Sequence, residues 1–154
     1  MESCCAAPLA ADSRPRRCAE CGHAGRSVEV ITLKALLRSP ALGRLGGGAH
    51  RFCATPSCRI VYFSESAEFR AEDIVVPVFQ KVPEGVRTVC YCLEITEDQI
   101  RREVETAGRS TAAERIKAFV QSDRCACEVR NPQGTCCLGN VAAVIRSAQG
   151  VCVT

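Results

Sequence analysis

The sequence predicts an α+β fold in two halves, a small mixed α/β half followed by a mostly helical one. Three observations predict it. Short β-branched and aromatic runs gather before residue 84, and capped helical patterns gather after it. The 13 Cys of the 154 residues fall almost entirely in close pairs. The chain has no Trp, 2 Tyr and 5 Phe. So few large core residues point to stability drawn from metals or disulfides. Apolar residues at 47% and charged residues at 24% exclude a disordered chain. No apolar run approaches the ~18 residues of a membrane helix. A net charge of +3 is too mild to demand a nucleic-acid or membrane partner.

The elements follow in order. Residues 1–16 are small, polar and Pro-containing and read as a disordered tail. Residues 17–84 form the first subdomain. Val28 to Ile31 suggests a strand, and Thr32 to Leu42 a helix with Leu33, Leu36 and Leu37 on one face. Gly43 to Gly48 is a loop; it follows a helix and opens none, so it is no phosphate cradle. Arg59–Phe63 and Ile74–Phe79 read as strands, the second edge-exposed because of Pro77. Pro83-Glu84-Gly85 is a turn and a boundary. Residues 85–147 form the second subdomain. Thr96 and Gln99 make a capping box with Ile95 stapled to Ile100, and Gly108 stops that helix. Thr111 and Glu114 make a second box, opening a helix with Ile116, Phe119 and Val120 on one face. Asn131-Pro132-Gln133-Gly134 is a tight turn. Asn140 is expected to cap a third helix carrying Val141, Val144 and Ile145. Residues 148–154 are a tail.

The N-terminus has no basic start and no apolar stretch of signal length, so a cytoplasmic location is expected. Thiols stay reduced there, which favours metal ligation over a disulfide framework, and an odd cysteine count agrees. The first constellation is Cys18-x2-Cys21 followed by Cys53-x4-Cys58. Two such knuckles can close a tetrahedral zinc site, and four thiolates leave no open position, so the zinc is expected to be structural. His23 and His50 flank the knuckles and are read as exposed and non-ligating. A nucleic-acid-binding ribbon would use Arg51, Arg59, Phe52 and Tyr62, a thin set for that purpose.

The second constellation is Cys90-x-Cys92, then Cys127, then Cys136-Cys137. Two helices of similar length separate the first pair from Cys127, so the chain runs out and back and brings Cys127 toward Cys92. The Asn-Pro-x-Gly turn folds Cys136-Cys137 to the same point. Helix N-termini after Cys92 and Cys137, with Arg124 and Arg130, suit an anionic 2Fe–2S cluster. A second zinc tolerates the same spacing. Cys125 is an extra thiol, either a spare ligand or an inert neighbour. Cys4, Cys5 and Cys152 read as free terminal thiols. Glu97, Asp98, Glu103 and Glu105 read as a solvated helix face. No thiol–imidazole pair stands out, so no enzyme is expected.

Val89-Cys90-Tyr91-Cys92-Leu93, the paired capped helices and Cys127-x3-Asn131-Pro132-x-Gly134-x-Cys136-Cys137-Leu138-Gly139 resemble the N-terminal domain of CopZ-type copper chaperones. Cys18-x2-Cys21 and Arg51-Phe52-Cys53-x4-Cys58-x2-Val61-Tyr62-Phe63 extend the resemblance over roughly residues 17–145. It implies one zinc in the first half, on Cys18, Cys21, Cys53 and Cys58, and one 2Fe–2S cluster in the second. That second half is similar to the bacterioferritin-associated ferredoxin domain. The resemblance places the cluster on Cys90, Cys92, Cys127 and Cys137, with Cys136 adjacent and not ligating. It implies one-electron transfer in copper handling, with reduction of cupric to cuprous ion and Cu+ bound transiently. The expected partner is a redox protein or a metal-transfer domain. Full-length members carry a Met-x-Cys-x-x-Cys copper loop; residues 1–154 contain none, so copper delivery by that loop is not expected of them. The alternatives are a ferredoxin serving iron release or another reductase, and a non-redox adaptor holding two zincs.

Overall fold

A computed structural model describes residues 16–150 of the protein. Residues 1–15 and 151–154 lie outside the described residues, and with them most of the two expected tails and Cys4, Cys5 and Cys152. Six strands and six α-helices are present among those described: β1 (Arg26–Val28), α1 (Val30–Leu36), α2 (Ser39–Leu42), β2 (His50–Phe52), β3 (Ile60–Phe63), β4 (Glu68–Arg70), β5 (Thr88–Cys90), β6 (Ile95–Thr96), α3 (Glu97–Ala107), α4 (Ala112–Gln121), α5 (Cys127–Arg130) and α6 (Leu138–Ala148). The mixed α/β region with an antiparallel sheet, followed by helices, is the predicted α+β class. None of the described helices is long and apolar enough to cross a membrane.

The first half is an antiparallel sheet in the order β1-β2-β3-β4. Phe52 pairs with Tyr62 across β2 and β3, and all four residues of β3 are buried. Leu33, Leu36, Leu37, Phe52, Val61, Tyr62, Phe69, Ile74 and Val78 form one core on this sheet. Several local expectations are corrected. Val30 and Ile31 open a helix rather than continue a strand. The predicted Thr32–Leu42 helix breaks at Leu37, which is extended and bridges Ile74. Pro40 lies in the first turn of α2, because a residue without N–H costs nothing there and breaks a ladder in mid-helix. Ile74–Phe79 is no strand. Beyond the Ile74 bridge it runs irregularly into a 3-10 turn at Phe79–Lys81, since Pro77 cannot donate to a ladder.

The second half packs α3, α4 and α6 around Val89, Ile95, Ile100, Ala112, Ile116, Val141 and Val144. Thr96 and Gln99 exchange the expected capping-box bonds, and Gly108 takes the left-handed conformation that ends α3. Thr111 makes no side-chain cap. Ser110 Oγ accepts the Ala112 N–H instead, and Glu103 accepts that of Thr111. Val120 is exposed rather than in the apolar face. Asn140 lies inside α6, whose N-cap is Cys137.

The predicted acidic helix face is not simply solvated. Glu97 is fully buried, accepting from Arg87 Nε at 2.6 Å, Arg101 Nη2 at 2.7 Å and the Gly85 N–H at 3.0 Å. The halves are joined by a buried and a part-buried hydrogen bond. Tyr62 donates to the Pro132 carbonyl at 2.5 Å, and Gln80 Nε2 donates to Gln133 Oε1 at 2.8 Å.

Candidate metal centres

The β1–β4 sheet delivers the first centre. Cys18 and Cys21 lie on the loop entering β1, Cys53 directly follows β2, and Cys58 precedes β3. Their four sulfurs lie within 4.8 Å of one another. Cys18 and Cys58 Sγ are 3.7 Å apart, as are Cys21 and Cys53 Sγ. A tetrahedron of Zn–S bonds near 2.3 Å has edges of about 3.8 Å, so the four thiols fit a zinc ion. Backbone N–H groups point at the sulfurs: Glu20 and Cys21 at Cys18, His23 at Cys21, Ile60 at Cys58.

Charge at this centre is graded. The Thr55 hydroxyl, 3.4 Å from Cys21 Sγ, and then the His23 N–H hold the Cys21 thiol down to about 5. Burial pushes Cys58 up to about 12. Lys81 Nζ stands 3.7 Å from Cys53 Sγ and donates to the Thr55 carbonyl at 2.6 Å. Its cation offsets part of the excess negative charge of four thiolates. Sequence reasoning missed Lys81, because it lies 28 positions from Cys53 and only the fold of residues 77–81 brings it back.

His23 is exposed, but His50 is buried in β2, and neither of its ring nitrogens has a hydrogen-bond partner. The expectation of an exposed His50 is corrected: β2 is central in the sheet, and alternate residues face the core. Neither histidine joins a metal-ligating group. Phe52 and Tyr62 are buried in the core, so they cannot stack on bases. That removes the aromatic half of a nucleic-acid face.

The second centre lies where the β5–β6 hairpin meets α5 and the start of α6. Cys90 ends β5, Cys92 occupies the following turn, Cys127 opens α5 and Cys137 caps α6. The out-and-back path of α3 and α4 brings Cys92 and Cys127 Sγ to 3.8 Å. Cys137 is within hydrogen-bonding reach of both Cys90 and Cys127. Cys125 joins Cys92 and Cys127, all three sulfurs lying within 4.8 Å. Of the ten described cysteines, only Cys136 is exposed, while Cys90, Cys127 and Cys137 are buried.

Amides converge here too. The N–H of Ala126 points at Cys92 Sγ at 3.4 Å, those of Cys92 and Leu93 at Cys90, and that of Cys137 at Cys127. Hydrogen bonds with Cys137 hold Cys90 and Cys127 down to about 6, and the same bonds push Cys137 up. Tyr91, between the cysteine pair, fixes the turn: its hydroxyl donates to the Pro77 carbonyl at 2.6 Å and accepts the Phe79 N–H at 3.0 Å. The all-sulfur donors and inward amides suit a thiophilic metal centre.

Comparison with known proteins is consistent with this geometry. Residues 15–75 match a CopZ-type zinc-binding domain family. The copper chaperone CopZ of Archaeoglobus fulgidus is 33% identical over 121 residues, which are 79% of this chain and 57% of that protein. The chain therefore spans little more than half the length of that relative. The X-ray structure of the Archaeoglobus fulgidus CopZ N-terminal domain aligns with a TM-score of 0.70 at 29% identity. The alignment covers 84% of this chain and 97% of that one.

Proposed function

We propose, from the match of residues 15–75 to a CopZ-type zinc-binding domain family and the similarity to the CopZ N-terminal domain, that this protein is a one-electron carrier in metal handling, with copper as the metal. Zinc on Cys18, Cys21, Cys53 and Cys58 holds the first half together. A 2Fe–2S cluster is held by Cys90, Cys92, Cys127 and Cys137. The observation that carries this reading is the second thiol group, mostly buried, ringed by backbone amides and containing no histidine or carboxylate ligand.

When bound, such a cluster supplies a single-electron couple whose potential is set by hydrogen bonds and exposure. The chain's own residues do the rest. The amides of Ala126, Leu93 and Cys137 donate to sulfur and favour the more negative state of the centre. The N-terminus of α6, capped by Cys137, adds a positive field. Val89, Ile95, Ile100 and Val141 wall off water from the deep side. Cys92, only half-buried, marks the edge through which an electron passes. The proposed substrate is cupric ion, which takes one electron and leaves as cuprous ion for a metal-transfer domain. A second protein restores the electron. No hydrolytic or group-transfer chemistry is assigned, and the site of work is the cytoplasm, a compartment that keeps such thiols reduced and free to bind metal.

Purification under nitrogen tests the reading. The expected product is red-brown, with one zinc and about two irons per chain. A colourless protein holding zinc alone rejects it and leaves the two-zinc adaptor. Cys90→Ser should remove the colour and leave the first zinc bound; loss of both metals together contradicts two independent centres.

A further inference from the structure

The second centre gathers five thiols, Cys90, Cys92, Cys125, Cys127 and Cys137, where a 2Fe–2S cluster takes four. The arrangement has a deep end and an outer end. Cys90 and Cys137 are fully buried free thiols within hydrogen-bonding reach of each other. Cys92 and Cys125 are half-buried, and their sulfurs lie within 4.8 Å of each other and of Cys127. We propose that Cys125 is an interchangeable ligand at the outer end, able to take the place of Cys92; the inference rests on the cluster reading above.

Distance and backbone both permit the exchange. A change of χ1 rotamer swings a cysteine sulfur by about 3 Å with the main chain fixed, which covers most of the gap between Cys125 and Cys92. The remainder falls on residues 122–126, a loop between α4 and α5 that contains Asp123 at φ 56. A loop yields more readily than a helix or a strand. Among the described residues, no such substitute lies at the deep end. Cys90 lies at the end of a strand and Cys137 at the N-cap of an eleven-residue helix, and Cys125 does not share a ligating group with either. The outer end is also the more exposed one, so a ligand can be released there without losing the deep pair.

The test compares Cys92→Ser, Cys125→Ser, the double variant and Cys90→Ser in the full chain, purified under nitrogen. Bound zinc and far-ultraviolet circular dichroism serve as checks on folding. Iron content and the visible spectrum are the readouts. Cys125→Ser and Cys92→Ser should each keep both irons and an all-sulfur spectrum. The double variant should either fall below about a tenth of the wild-type iron or show the blue shift of an oxygen ligand. Cys90→Ser should lose its iron. The proposal is overturned if Cys92→Ser alone loses iron or gains the oxygen-ligand spectrum, or if the double variant still keeps an all-sulfur cluster. Iron-free wild-type protein instead overturns the cluster reading, and this inference with it. Should Cys92→Ser fail to fold, Cys92→Ala asks the same question with the same outcomes, because Cys125 is again the thiol left to replace Cys92.

Discussion

At the scale of residues, two buried ionisable groups set how the protein answers to acid. Burial lowers the pKa of His50, outweighing the opposing effect of the Gly48 backbone. The unfolded chain, with a histidine near pH 6.5, therefore binds that proton more readily than the folded one. Stability conferred by neutral His50 is complete above that pH and declines as pH falls toward the lower folded value. His50→Phe should flatten this decline relative to wild type when melting is compared at several pH values between 5 and 7.5. An unchanged slope removes His50 from the account. Glu97 works one range lower. Its burial alone would raise its pKa, but the Gly85 N–H, Arg101 and Arg87 more than offset that and hold it below the usual carboxylate range. Its stabilising effect is present above about pH 4.3, the unfolded value, and is lost as pH falls through the folded one. Glu97→Gln should cost about 2 kcal/mol near neutrality, between a surface pair and a fully buried one because both arginines keep some exposure. Chemical denaturation at pH 7 and pH 3.5 should show that penalty shrinking in acid. Neither burial was legible in the sequence, because both residues sit in patterns that single-residue polarity assigns to the surface.

At the scale of elements, the turn before Cys136-Cys137 is held against the first half by a glycine. Gly134 has φ 71, and a Cβ there would meet Val28 Cγ2 at 2.9 Å and Thr32 Oγ1 at 3.0 Å. Val28 ends β1 and Thr32 lies in α1, so the turn has no room to back away without parting the halves. Gly134→Ala combines left-handed strain of about 1 kcal/mol with that clash. It should lower stability by about 2–3 kcal/mol, read by denaturant melts, and weaken metal retention at the second centre before the first. Equal loss at both centres would contradict this. The helices of the second half were readable because their signals are local: Thr96, Gln99 and Gly108 act within a turn of their own helix ends. The first half was harder. Val28–Ile31 and Ile74–Phe79 are apolar runs whose state depends on what they pack against; Pro77 decided the second by removing a backbone donor, and Pro40 placed the start of α2 inside the expected Thr32–Leu42 helix. The four residues of α5 carry no periodicity long enough to register.

For the whole molecule, the two cores respond differently to loss of metal. The first-half sheet is short-stranded, and Cys18, Cys53, Cys58, Ile60 and Phe63 form a cluster of their own beside the apolar core. Without the proposed zinc, only Lys81, the Thr55 hydroxyl and a few backbone N–H groups would offset the charge of the four thiols packed there. Chelation, or Cys53→Ser, should unfold the first half, while the capped helices α3, α4 and α6 persist; amide exchange would report protection surviving in residues 97–148 alone. Simultaneous loss of all protection would instead mark Tyr62–Pro132 and Gln80–Gln133 as strong enough to make the halves one cooperative unit. The sequence by itself determined the α+β class, the limits of α3 and α4 and the grouping of cysteines into two sets. Each of those is written in spacings of a few residues, where backbone geometry leaves little choice. Only the tertiary structure decided which thiol of the Cys136-Cys137 pair faces inward, that Cys125 joins the outer group, and that Lys81 stands beside Cys53. These depend on where distant segments come to rest, and that is fixed by packing across the whole chain rather than by any local pattern.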